Sequence, residues 1–213
     1  ASGFMLMIDS ENLIMLFIGL EIGSISLYAL AGLNRGDKLS NEASLKYFLL
    51  GSLASCILIY GVSLVYVSFS VLSVYNFALG LAYVGPDSVP LTTSIGVLLI
   101  FIGLLFKIAA APFQSWAPDV YQGSPTGYVG FMSSIAKASS FIVIARLCLV
   151  SINFIIEDFN IFFLIVIISS ALIGSLFASI QEDLKRLLAY SGVVQSGFIL
   201  SGIVSGINGT SAS

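Results

Sequence analysis

Lys107 and Lys137 each sit inside a long apolar stretch, 93–113 and 126–151, and a third such stretch, LFIGLEIGSISLYAL, carries Glu21 at its middle. An ionisable side chain is costly to hold at that depth in a lipid-spanning helix, so where one occurs it reads first as part of an ion or proton path. Glu21 lies about nine residues into its stretch, or roughly 14 Å along a helix. Gly19, Gly23, Ser24 and Ser26 surround it, small residues that let neighbouring helices approach closely. The plainer alternative is a structural carboxylate neutralised by a lysine partner. Lys137, in SSIAKASS, is about equally deep and similarly flanked. Serine hydroxyls and water can solvate an ammonium there, and a lysine so placed can trade its proton with a neighbour.

Lys107 has a second clue beside it. In FKIAAAPFQSWAP, Pro112 follows the lysine and Pro118 comes one turn and a half further on. Proline removes a backbone donor and clashes with the preceding turn, so a helix is predicted to break near 110–113. Broken helices at membrane depth are tolerated only against protein or a hydrated cavity. The alternative is a helix that ends there, with Lys107 snorkelling to the surface. Lys46 lies near the start of another apolar stretch, on the same side as Arg35 and Lys38, where snorkelling is the better reading from the residues alone. Asp119, in WAPDVYQG, reads as a turn or helix-cap carboxylate, and Lys185 and Arg186 as topological anchors.

What must position these residues is a membrane bundle. Aliphatic, aromatic and cysteine residues make up 58% of the chain and charged residues 9%, with a mean hydropathy of +1.06. A soluble domain needs more charge than that, so the solvent is largely lipid. The net charge of -3 argues against nucleic acid as a partner. There is no histidine, which removes the commonest metal ligand and the commonest near-neutral acid–base group. Cys56 and Cys148 lie in apolar runs without metal spacing and read as packing residues. No phosphate-cradling glycine loop and no nucleophile–base set is present, and no cofactor or metal site is expected. Moving charge is the chemistry that remains.

Hydropathy gives about six spans, at 12–33, 43–69, 93–113, 126–151, 159–180 and 186–207, each long enough to cross roughly 30 Å of hydrocarbon. Their continuous apolar character predicts an all-α, polytopic transmembrane bundle forming a single membrane domain over 1–213. The connections are 34–42, the longer 70–92 with the turn signal Gly85-Pro86-Asp87, then 114–125, 153–160 and 181–186. Arg35, Lys38, Lys185 and Arg186 fall in the first and fifth connections, which share a side with the third. By the positive-inside rule that side faces the cytoplasm, or the matrix in a mitochondrion. Arg146 lies near the opposite end, where it is expected to snorkel or pair with Glu157 or Asp158. The chain does not begin with methionine, segment 4–8 reads as the end of an earlier element, and no signal peptide is seen. A piece of something longer is the expectation.

FKIAAAPFQSWAPDVYQGSPT resembles the signature of the antiporter-like, proton-pumping membrane subunits of respiratory complex I, NADH:quinone oxidoreductase. Within that family PDVYQGSPT is similar to the subunit 2 branch, called subunit N in bacteria. EASLKYFLLGSLASCILIYGVSLVY and DLKRLLAYSGVVQSGFILSG extend the resemblance over almost the whole chain. It implies an inverted-repeat fold with a broken helix, of which the present spans match about the fifth to tenth helices. It also implies a proton relay in which Glu21 pairs with Lys107, Lys137 is the central lysine, and Lys46 joins the pathway. Pro112 and Pro118 mark the break. The implied partners are other membrane-arm subunits, sister antiporter-like subunits among them, a second polypeptide for the missing helices, and lipid. NADH, FMN, iron–sulfur clusters and quinone would be used elsewhere in the complex. The implied location is the mitochondrial inner membrane, with the bacterial plasma membrane as alternative. A cation/proton antiporter subunit and a structural remnant that no longer pumps are the competing readings. Gln114 and Gln195 stand where the family usually has histidine, and glutamine cannot carry a proton.

Overall fold

The computed structural model describes residues 1–85, 88–150 and 156–211. Helix α1 is Ser2–Asp9, α2 Leu13–Ala31, α3 Lys38–Phe69, α4 Val74–Val84, α5 Leu91–Lys107 and α6 Trp116–Gly123. Then come α7, Thr126–Phe131, a π-helical turn Met132–Ala136, α8, Lys137–Val150, α9, Ile156–Ser179, and α10, Leu184–Ser211. Five of these stretches are long and apolar enough to cross a membrane: α2, α3, the joined Thr126–Val150, Phe159–Ser179 and Leu184–Gly206. The span expected at 93–113 is not among them: α5, Leu91–Lys107, is a 17-residue apolar helix that stops at the break, shorter than the other five.

Helix ends follow local capping. Asn12 accepts from the Ile14 N–H, Asp37 from Leu39, and Asp183 from Lys185 and Arg186, each satisfying donors a helix start leaves free. The Asp37 cap starts α3 at Lys38, ahead of the expected 43, because its polar first turn lies outside the apolar stretch that hydropathy detects. α4 appears inside the connection expected at 70–92. Its buried Val74, Phe77, Ala78 and Leu81 fall on one helical face, so it lies against the bundle rather than crossing. The Pro86-Asp87 turn signal lies outside the described residues, as do the side chains of Glu157 and Asp158.

α3 packs on α5 through two glycines. A Cβ on Gly61 would sit 2.6 Å from the Gly96 carbonyl oxygen, so only bare backbone permits that approach. At one end of the bundle, the α1–α2 turn is laced to the α3–α4 connection: Leu13 N–H donates to Leu72 O and Val74 N–H to Glu11 O. Arg146 reaches this same end from α8 and donates to the carbonyls of Ile8 and Ser10. It serves there as a cap for the last carbonyls of α1, a role the sequence reading did not anticipate.

The break after α5 starts earlier than expected. α5 stops at Lys107, and Ala109 takes a left-handed φ of 55°. Pro112 accounts for this, because its ring conflicts with the carbonyl four residues back, at Ile108, and it has no N–H to offer that carbonyl. Pro118 plays a different part from Pro112. It falls in the first turn of α6, where the N–H it lacks would have no helical partner, so it opens a helix instead of interrupting one. Trp116 pins the two halves together: its Nε1–H donates to Phe106 O at 3.1 Å, and its ring stacks on Tyr47 at 4.7 Å between centroids. Serines of α9 and α10 satisfy the freed backbone. Ala111 N–H donates to Ser170 Oγ, Ser169 Oγ donates to Ala111 O, and Ser196 Oγ to Ile108 O.

Candidate functional site

Glu21, Ser24 and Tyr28 stand at i, i+3 and i+7 on α2, and therefore share a face. That face meets Ser55 of α3 and the end of α5. Lys107, 8% exposed, places its Nζ 3.1 Å from Ser24 Oγ, 3.1 Å from the Tyr28 hydroxyl and 3.4 Å from Ser55 Oγ. An ammonium has three hydrogens, and three neutral hydroxyls meet them. Ser55 Oγ in turn donates to Glu21 Oε1, with Gly51 O as a second acceptor. Among the described residues no ion pair within 4.0 Å joins Glu21 to Lys107. The pairing implied by the family resemblance is thus bridged by a hydroxyl, in the order Lys107 N–H, Ser55 O–H, Glu21 carboxylate.

Lys137 follows directly on the π-helical turn and is likewise 8% exposed. Its Nζ donates to Gly192 O of α10 at 3.1 Å. A cavity of about 10 Å³ beside Lys107 is lined by Ser24, Leu27, Tyr47, Ala136 and Ser140, and Lys137 does not reach it. That is close to the space one water needs. Lys137 borders a cavity of about 320 Å³ with Tyr121, Ser133, Lys185 and Gln195. This space shares Thr126 and Lys185 with a wider one of about 430 Å³ that includes Asn34 and Asp37 of the first connection. Thr126 and Lys185 therefore border both the cavity at the loop face and the one beside Lys137.

Lys46 is placed apart from this buried set. Its side chain is 41% exposed and pairs with Glu42 at 2.7 Å and Asp119 at 2.8 Å. Asp119 uses its other oxygen for Arg186, also at 2.8 Å. Burial works against ionisation of Asp119, but the hydrogen bonds from Lys46 and Arg186 outweigh it and hold its carboxyl below the usual carboxylate range. Asp119 is therefore a tie between α3, α6 and α10, beyond the turn or cap role its loop position suggested. Lys185, read as an anchor, donates to Ser124 O at 2.8 Å at the neck of the Lys137 cavity. Gln114 Oε1 is buried without a hydrogen-bond partner, whereas Gln195 is exposed and borders the Lys137 cavity. Among the described residues no three Cys, Asp or Glu side chains converge to hold a metal ion. Both cysteines are free, Cys148 buried and Cys56 exposed.

Two side chains of this hydrogen-bonded cluster, Tyr28 and Ser55, were not singled out in the sequence reading. Tyr28 was legible, since it continues the polar stripe of Glu21 and Ser24. Ser55 was not, because hydroxyls recur throughout these helices and nothing local singles one out. The π-helical turn before Lys137 also had no sequence signal, although such turns recur at functional sites.

A membrane-embedded helical bundle with a broken helix, buried lysines and a buried carboxylate is the class of protein defined by this fold and site. The family model described as NADH:quinone oxidoreductase/Mrp antiporter, TM, matches residues 10–213, and the chain belongs to that family. It is 45% identical over 209 residues to NADH-quinone oxidoreductase subunit N 1 of Chloroherpeton thalassium, covering 96% of this chain and 43% of that protein. It is 40% identical over 212 residues to the chloroplastic NAD(P)H-quinone oxidoreductase subunit 2 of Mesostigma viride, covering 99% and 42%. A chain of respiratory complex I from Thermus thermophilus, solved with bound aureothin, superimposes with a TM-score of 0.80 at 35% identity, over 96% of this chain and 43% of that one. The chain thus spans less than half the length of the relatives it matches.

Proposed function

We propose that this chain is part of the membrane arm of a proton-translocating NADH:quinone oxidoreductase and carries a Glu–Lys proton relay. The supporting observation is the hydroxyl bridge from Lys107 through Ser55 to Glu21, set within the bundle of a chain 45% identical to an NADH-quinone oxidoreductase subunit N 1. Glu21, Lys107 and Lys137 carry the relay. Lys46, bound to Glu42 and Asp119, acts at its loop-face end.

The relay works by electrostatics. At a separation of about 6 Å and an effective dielectric near 20, a carboxylate stabilises an ammonium by about 3 kcal/mol. While Glu21 is charged, Lys107 keeps its proton. When a neighbouring subunit alters the charge on Glu21, that stabilisation is lost and the Lys107 proton moves through the small cavity toward Lys137. Lys137 exchanges with the loop face through the wider cavities. NADH, FMN, iron–sulfur clusters and quinone are used elsewhere in the complex, and this chain binds none of them.

Partners are the other membrane-arm subunits, sister antiporter-like subunits included. The remaining helices of the relatives' length lie on the same polypeptide or on a second one. The exposed Leu164, Ile165, Ile168 and Leu172 of α9 face lipid or those partners. The membrane is the mitochondrial inner membrane, or the bacterial plasma membrane, which the bacterial relative favours.

The test is Lys137→Met in the assembled complex in native membrane vesicles. A relay lysine requires proton flux to fall at unchanged complex content. Unchanged flux and an unchanged ratio of protons to electrons would defeat the relay. Sodium or potassium flux in place of proton flux would move the chain to the antiporter reading.

A further inference from the structure

We infer that Ser196 of α10 is a positioning residue of the relay: its hydroxyl couples the broken end of α5, beside Lys107, to the carbonyl that holds Lys137. This rests on the proton-relay reading above. In an unbroken helix the N–H of residue 112 would bond the carbonyl of Ile108, but that residue is Pro112, which has no N–H. Ser196 Oγ supplies the missing donor at 2.9 Å. The same oxygen lies 2.8 Å from Gly192 O, the carbonyl that accepts from Lys137 Nζ. Ser196 is 1% exposed, so no bulk water competes for it.

A serine in a membrane helix commonly bonds the carbonyl one turn back, and that contact alone would mean nothing. The contact to another helix changes its meaning. The hydroxyl has one hydrogen and two carbonyls within reach, so it donates to one at a time. Turned to Ile108, it satisfies the break and leaves Gly192 O to the lysine and to the α10 backbone. Turned to Gly192, it strands a buried carbonyl at the break and crowds a third donor onto an oxygen with two lone pairs. Any displacement of the Ile108 carbonyl as Lys107 changes charge therefore alters how firmly Lys137 is held. Ser196 also borders a cavity of about 150 Å³ that Lys137 and Gln195 line with it.

The experiment compares Ser196→Ala, Ser196→Cys and Ser196→Thr in the assembled complex in membrane vesicles, with Lys137→Met alongside. Proton flux and complex content are measured for each. The alanine variant is expected to lose about fivefold in proton flux at normal complex content, the size of one net hydrogen bond. Cysteine matches serine in shape but donates weakly, so it should follow alanine, whereas threonine should restore flux. A cysteine variant with full flux would reduce Ser196 to packing and overturn the inference. So would an alanine variant at wild-type flux while Lys137→Met is impaired, a result that leaves the relay itself standing. Full flux in Lys137→Met would remove the relay and this inference together. Should the alanine variant assemble poorly, the cysteine and threonine pair decides.

Discussion

Ser55→Ala removes the hydroxyl that joins Lys107 to Glu21. Ser55 is 5% exposed and sits between α2, α3 and the end of α5, so the change deletes one oxygen without opening a route for bulk water. Lys107 retains Ser24 and Tyr28 as acceptors at 3.1 Å each, and the Ser55 contact is the longest of its three at 3.4 Å. A hydrogen bond to a charged group contributes about 1.5–3 kcal/mol, and the long contact argues for the lower end. A loss of about 1.4 kcal/mol is tenfold in a rate. Proton flux should therefore fall about tenfold in inverted membrane vesicles energised with NADH and read with a pH-sensitive dye, while a native gel reports unchanged complex content. Ser55→Thr, which keeps the hydroxyl, should retain most of the flux. Wild-type flux in the alanine variant, with a wild-type ratio of protons to electrons, would refute the bridge as the coupling between the two charges.

Other expected outcomes follow from the packing and the surface ties. Gly61→Ala should destabilise the bundle by about 1–3 kcal/mol, since its Cβ would press on the Gly96 carbonyl between α3 and α5; thermal unfolding of the purified complex measures this. Asp119→Asn should cost no more than about 1 kcal/mol, because a third of the Asp119 side chain is exposed and such pairs are screened. The depressed carboxyl of Asp119 fixes the sign: its contribution is present above the unfolded value of about 3.9 and is lost as pH falls through the lower folded value. Thermal stability of wild type and Asp119→Asn should accordingly differ at neutral pH and converge in strong acid. A difference that grows toward acid would contradict the tie.

The all-α membrane bundle was readable because lipid imposes continuous apolar runs of a fixed minimum length, and Lys107, Lys137 and Glu21 stood out against them. Pro112 likewise announced a break. Its onset at Ile108 came from the carbonyl four residues back, which a search for the proline itself does not reveal. α4 was hidden because a short amphipathic helix against a bundle lacks both the length of a span and the charge of a loop. The tie of Lys46 to Asp119 joins residues far apart in the chain, and no local pattern encodes it. Ser55 and Ser196 bond partners on other helices, and one serine among many looks like any other until the helices are placed. Family resemblance implied a pairing of Glu21 with Lys107, whereas the Ser55 hydroxyl that lies between them required coordinates.

The most direct measurement is a density map of the assembled complex, recorded in lipid at a resolution where ordered water is visible. Water should appear in the small cavity between Lys107 and Ser140 and in a continuous line from Lys137 to the loop face, with both ammonium groups turned inward. Dry, closed packing around the two lysines, or side chains extended outward to the lipid headgroups, would contradict the relay.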